Sequence, residues 1–193
     1  MSQTKPIRSR QDLQKFRDYY LQTEYHPRNY TLLVLGLNTA LRISDLLSVR
    51  WKDVWDFSNS RVRKHLNLVE KKTKKESHVA LNASVKETLC FYKETLSCVL
   101  PEDFLFPSPK NSEHPLSRSQ AFRIVKKAAA AVEIDEVIAC HSMRKTFGYQ
   151  ACKQGIPPAV LMNIYNHSSY QITKRYLDID QDDRDETFNN VTL

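Results

Sequence analysis

Near its carboxyl end the chain reads HSSYQITKRYL over residues 167–177, with His167 at the start and Tyr176 nine positions on. A tyrosine in such a place usually packs. To act as a nucleophile its phenol, with an ordinary pKa of about 10, must lose its proton as it attacks, and nearby cations or an imidazole ease that loss. Three other places in the chain offer such groups. Arg42 stands at a helix break in TALRISDLLSVRW, with Asp45 one turn on. Lys72 lies in the basic turn KKTKKE. His141 and Arg144, in HSMRKTFGY, are three apart and share one helix face. Taken singly, each piece has a plain structural reading. These are an Arg–Asp pair, a solvated lysine cluster, a surface pair on an amphipathic helix, and a capping histidine beside a core tyrosine.

The elements that must position these groups follow from periodicity and capping. Ser9 and Asp12 resemble a capping box, and Leu13, Phe16 and Tyr20 make one stripe of a helix over 9–24. Pro27 opens a second helix, PRNYTLLVLGLN, apolar enough to be central. Ser44 is expected to cap a short helix over 45–50. The period then changes: 65–70 and 77–81 alternate as strands, so KKTKKE is the tip of a hairpin. Ser84 and Glu87 suggest another capping box, with Val85, Leu89, Tyr92 and Leu96 on one face. Residues 101–115, rich in proline, read as a surface loop. Ser117 starts a helix in which Phe122, Val125, Ala129 and Val132 share the buried face. Arg123, Lys126 and Lys127 lie opposite, either as a solvated face or as phosphate contacts. Further helices are expected at about 141–154, 158–165, 169–178 and 182–190. The fold class is mainly α with one small antiparallel β-sheet, and the 193 residues show no convincing domain boundary.

Composition narrows the partners. The net charge is +7, but DIDQDDRDE at 178–186 sets six acids against one arginine, so the rest of the chain is more basic still. A basic body with an acidic tail points to a polyanion, nucleic acid first. No apolar run approaches the roughly 18 residues that span a bilayer, and the amino-terminal segment lacks the apolar stretch of a signal peptide, so a cytoplasmic protein without membrane partners is expected. Cys90, Cys98, Cys140 and Cys152 lack metal-site spacing and read as reduced, mostly buried thiols. DIDQDD mimics the start of a calcium loop, but Asp183 and Asn189 occupy the places due to glycine and glutamate. No metal or other cofactor is expected.

Together the pieces resemble the catalytic domain of the tyrosine recombinase (phage integrase) family. The likeness runs from about residue 8 to residue 180. It rests on an arginine in LRIS(D/E)LL, a lysine in a hairpin turn, His-x-x-Arg opening a helix, a histidine before SS, and a tyrosine nine residues later in RYL. Arg42, Lys72, His141, Arg144, His167 and Tyr176 fill all six places. Two departures stand out: Asn166 precedes His167 where the family often has glycine, and Lys145 follows Arg144 where it often has histidine.

The resemblance implies metal- and ATP-independent breaking and rejoining of double-stranded DNA. Tyr176 would attack a phosphodiester and form a 3′-phosphotyrosyl ester. Arg42 and Arg144 would clamp the non-bridging oxygens, whose geometry guanidinium groups match with paired hydrogen bonds. His141 would accept the phenol proton, Lys72 would donate one to the leaving 5′ oxygen, and His167 would add a hydrogen bond to the phosphate. Asp45 would hold Arg42. Lys71 and Lys74 lie within two residues of Lys72 and are rivals for its place. Lys71, Lys74, Lys75, Arg123, Lys126 and Lys127 are the candidate DNA contacts. The expected function is site-specific recombination in integration or a related exchange, as for a mobile element. The alternatives are topoisomerase IB-like relaxation, or a catalytically silent DNA-binding regulator of the same fold. About eight residues precede the match, as in short family members such as the fimbrial-switch invertases; an excised catalytic fragment of a longer protein is the alternative. The chain is thus read as one catalytic domain over 1–193, with 181–193 as a tail helix for contact between subunits. A homo-oligomer, expected to be a tetramer, would assemble on paired sites.

Overall fold

The structure is a computed structural model that describes residues 4–179 and 188–189. Nine helices and four short strands are named among those residues: α1 Arg10–Gln22, α2 Pro27–Asn38, α3 Ile43–Leu46, α4 Trp51–Val54, β1 Trp55–Asp56, β2 Arg61–Val62, β3 His65–Val69, β4 Glu76–Ala80, α5 Ala83–Glu94, α6 Arg118–Ala131, α7 Cys140–Lys153, α8 Pro158–Tyr165 and α9 Tyr170–Leu177. The mainly helical class holds, but there are two antiparallel two-stranded sheets, not one. Strands of two residues are too short to leave an alternation in the sequence. In the larger sheet His65 pairs with Ala80 and Val69 with Glu76, which leaves 70–75 as the turn.

The centre is α2. Pro27 sits at its start, where a missing N–H costs nothing, and Leu32 to Leu35 are all fully buried, so the helix is covered on every side. A Cβ on Gly36 would lie 2.6 Å from the Met143 sulfur, so the missing side chain lets α7 press against α2. Gly148 plays the same part on the other side of α7: a Cβ there would come within 2.5 Å of both Leu177 and the Tyr165 hydroxyl. The helices that carry Arg144 and Tyr176 are therefore in backbone-close contact.

Several local expectations shift. Ser9 does cap α1 by accepting from the Asp12 N–H, and Ser117 and Gln120 form a reciprocal capping box on α6. The short helix instead starts after Arg42 and holds Ser44 inside it, ending at Leu46. Asn82, two residues before Ser84, caps α5 by accepting from the Val85 N–H, and Leu96 lies beyond that helix. The 101–115 segment is not all surface. Leu105 and Phe106 are fully buried, because Leu105 N–H bonds to Val49 C=O and Trp51 N–H to Asp103 C=O, stitching the segment to the entry of α4. On α6 the buried stripe is Ala121, Ile124, Val125, Ala128 and Ala129, and Phe122 is exposed. None of the four cysteines is fully buried, and Cys98 is exposed.

The expected helix over 182–190 lies outside the described residues apart from Phe188 and Asn189, which are helical. Nearly all of the acidic run lies outside them too. Its first member, Asp178, is engaged within the chain, by Lys5 at 2.7 Å and Arg8 at 2.7 Å, and so is not held in reserve for another subunit. Among the described residues no helix is long and apolar enough to cross a membrane.

Candidate active site

The break after α2 sets the first guanidinium. Ala40 adopts a left-handed φ of 52°, and the chain turns so that Arg42 becomes the residue before α3. Its guanidinium donates to Glu70 Oε2 at 2.6 Å. Glu70 directly follows β3, is buried, and accepts from the Thr73 hydroxyl at 2.6 Å through the same oxygen. Burial would raise its pKa. The Thr73 hydrogen bond and the charges of Arg42 and Arg144 more than offset this, so the carboxyl lies below its usual range and is ionised at neutral pH. Sequence reasoning assigned Arg42 to Asp45 and read Glu70 merely as the end of a strand. The pairing spans 28 positions and leaves no local signal.

Asp45 does something else. It is 1% exposed, and its Oδ1 accepts from the Lys71 backbone N–H at 2.9 Å. Its Oδ2 has no hydrogen-bond partner. Asp45 thus ties the root of the lysine turn to the helix next to Arg42. The turn closes with Lys74 at a left-handed φ of 58° and its N–H bonded to Glu70 C=O. Lys71, Lys72, Lys74 and Lys75 are all exposed around this fixed root. Lys72 is the turn lysine whose charge reaches His141. Lys75 instead donates to the Asn166 side chain at 3.2 Å.

The amino-terminal turn of α7 carries His141 and Arg144, three residues apart as the spacing requires. The Ser142 hydroxyl accepts from the Ala139 N–H and fixes the start of the helix. His141 stands at the surface. Desolvation, then the charges of Arg144, Lys145, Arg42 and Lys72, hold its pKa below the ordinary imidazole value, so it is neutral at pH 7. Arg144 is buried, bonds the Ala40 carbonyl, and stacks 4.6 Å above the Tyr165 ring. Tyr165, at the end of α8, returns a hydrogen bond from its hydroxyl to Arg144 C=O at 2.7 Å.

Beyond Tyr165 the chain reverses at Asn166, whose φ of 56° is left-handed. Asparagine tolerates that region better than most non-glycine residues, so the departure from glycine keeps the turn. His167 then stacks on Tyr165 with centroids 5.6 Å apart, and its Nδ1 lies 3.1 Å from the Thr173 hydroxyl. Desolvation and the charges of Arg144 and Arg42 lower its pKa. Ser169 caps α9, and one residue before its end Tyr176 packs 5.3 Å from His167 and 5.3 Å from Tyr165. Burial raises the Tyr176 pKa. Arg144, by charge and hydrogen bonding, and Arg42, by charge, pull against that rise without cancelling it.

The structure therefore gathers Arg42, Arg144, His167 and Tyr176 around Tyr165 and Glu70, with His141 and Lys72 at the rim. Of the outlying candidates, Arg123 and Lys126 are exposed on α6, whereas Lys127 is paired with Glu24 at 2.6 Å. Phe122 and Arg123 line an open cavity of about 400 Å³ with Ile43 and Cys140, the neighbours in sequence of Arg42 and His141. Among the described residues no group of three or more His, Cys, Asp or Glu side chains could hold a metal ion.

The model of the phage integrase family matches residues 10–183. The chain belongs to the phage integrase family. The chain is 39% identical over 177 residues to the probable integrase/recombinase YoeC of Bacillus subtilis (strain 168), covering 92% of this chain and 91% of that protein. Its fold superposes on the crystal structure of XerA recombinase with a TM-score of 0.75 at 19% identity, covering all of this chain and 66% of that one. The Tn1549 transposon integrase in complex with a circular intermediate DNA gives 0.67 at 23% identity, over 91% of this chain and 62% of that chain. The chain thus spans somewhat under two thirds of the length of these two solved proteins.

Proposed function

We propose that this tyrosine-type site-specific recombinase cuts and rejoins double-stranded DNA with Tyr176 as its nucleophile. The observation that carries the reading is the placement of the phenol. It is half-buried, beside His167, and subject to the charges of two guanidiniums whose own partners, Glu70 and Ala40 C=O, hold them in place.

The reaction follows from those groups. The Tyr176 oxygen attacks phosphorus as its proton passes to neutral His141. Arg42 and Arg144 stabilise the negative charge that builds on the non-bridging oxygens, and His167 hydrogen-bonds the same phosphate. The bond to the 5′ oxygen breaks as Lys72 supplies its proton, leaving a 3′-phosphotyrosyl ester and a free 5′-hydroxyl. A second strand's 5′-hydroxyl reverses the steps, so no ATP is consumed. Lys71, Lys74, Lys75, Arg123 and Lys126 contact flanking phosphates, and Lys127 joins them on giving up Glu24. Phe188, 81% exposed in the helical turn after the active site, serves contact between copies assembled as a tetramer on paired sites.

The test is a nicked substrate from which the short strand diffuses away after cutting, trapping the covalent adduct. Wild-type protein should become linked to DNA, and Tyr176→Phe should fold and bind but form no adduct. An adduct with the Phe variant would overturn the assignment.

A further inference from the structure

Lys145 is a buried charge that the reaction above does not use. It is 5% exposed and is the one lysine among the described residues buried so fully. Its ammonium donates to the Thr4 carbonyl at 2.6 Å and lies 5.5 Å from the centroid of the Tyr176 ring, over its face. No carboxylate of the described residues comes within 4.0 Å of it. Asp178 favours its charge from farther off, while burial foremost, then Lys5 and Arg8, lower its pKa. A desolvated cation with one carbonyl and one aromatic face for company is a poor way to gain stability. An apolar side chain of the same length would fill the space at less cost.

What the ammonium does provide is a fixed point between two elements that meet at the nucleophile. One is the segment 4–8, anchored independently by Ile7 N–H to the Thr146 hydroxyl at 2.8 Å and by Lys5 N–H to Val137 C=O at 3.1 Å. The other is the Tyr176 ring, whose ring neighbours are Tyr165 and His167, each with its centroid 5.3 Å away. A cation over a ring face is attracted to the ring quadrupole, so Lys145 resists rotation and withdrawal of the phenol.

We infer that Lys145 is a positioning residue for the Tyr176 nucleophile, holding its ring in the line of attack through a cation–π contact braced on the Thr4 carbonyl. This rests on the reading of Tyr176 as nucleophile. A misplacement of about 1 Å at a reacting group costs on the order of 10²-fold in rate, and the loss should fall on the chemical step alone.

The experiment compares Lys145→Met, Lys145→Arg, Tyr176→Phe and wild type in three measurements: DNA affinity, thermal midpoint, and single-turnover cleavage of the nicked substrate. Lys145→Met should bind DNA as wild type does, melt at the same or a higher temperature, and cleave about 10²-fold more slowly. Lys145→Arg, which keeps a cation over the ring, should recover to within about tenfold of wild type. Cleavage by Lys145→Met at the wild-type rate, or a loss that tracks a lowered melting temperature and is not relieved by arginine, would overturn the inference. If Tyr176→Phe still forms adduct, it is the nucleophile assignment that fails; if Tyr176→Phe is inert while Lys145→Met is normal, only the positioning role does.

Discussion

Glu70 holds Arg42 through a 2.6 Å ion pair that is almost shut off from solvent, and the same carboxylate oxygen fixes Thr73 in the lysine turn. One acid therefore sets both the guanidinium proposed to clamp the phosphate and the shape of the turn that carries Lys72. Glu70→Gln should keep the fold and weaken cleavage by about 10-fold to 10²-fold, the upper end being the scale of losing one transition-state donor, with little change in DNA affinity. Single-turnover rates and binding isotherms on one oligonucleotide separate the two.

The same pair gives a pH dependence of stability. The Glu70 pKa is lower in the folded protein than its ordinary value. Its contribution is therefore complete above the unfolded pKa, about 4.3 for glutamate, and is lost as pH falls through the lower folded value. Wild type should lose stability relative to Glu70→Gln on acidification below pH ~5, with the two curves parallel above it. Urea melts across that range measure the convergence.

Replacing Lys72 by alanine should slow cleavage of ordinary DNA. Activity should return on a substrate whose 5′ bridging oxygen is sulfur, a leaving group that needs no proton. Asp45→Ala, which frees the Lys71 N–H and the root of the turn, should show a smaller defect with partial rescue on the same substrate. Rescue of Lys71→Ala or Lys74→Ala would move the acid to that position.

Because His141 is held below the ordinary imidazole value by desolvation and its cationic neighbours, the acidic limb of the cleavage rate should have its midpoint below pH ~6.5. Full activity should extend into mildly acidic solution until the imidazole takes up its proton. His141→Asn should abolish that limb. A pH–rate profile on the single-site substrate reads both.

Asn166→Gly should be neutral or slightly stabilising, whereas Asn166→Val should lose on the order of 1–2 kcal/mol, because a β-branched residue resists left-handed backbone. Thermal melts measure this. The Gly variant also loses the Lys75 hydrogen bond, so its DNA affinity tests whether that lysine contacts phosphate once released.

The candidate site was more legible in the sequence than its scaffolding. Arg42, His141, Arg144, His167 and Tyr176 could be picked out because each sits in a short string of fixed order. Ser9, Pro27 and Ser117 marked helix starts because capping acts within four residues. Glu70 stayed hidden because its partner is 28 positions away. Phe122 was assigned to the core because its spacing to Val125 and Ala129 is helical, but Ala121, Val125 and Ala128 form an equally good stripe with smaller side chains, and close packing prefers it. The loop at 101–115 concealed a buried Leu105–Phe106 because prolines on either side suggested a turn. Lys145, noted only as a departure from the usual histidine, lies 5.5 Å from the centroid of the Tyr176 ring.

The clasp between Lys5, Arg8 and Asp178 joins residues up to 173 positions apart, and Thr4 is bonded to the lysine that touches Tyr176. The segment 4–8 therefore meets its partner only once the chain has been made through Asp178. The surroundings of Tyr176 are thus among the last parts of the described structure to form. A chain terminated just before Tyr176 would carry Arg42, His141, Arg144 and His167, yet lack the phenol proposed to cut DNA.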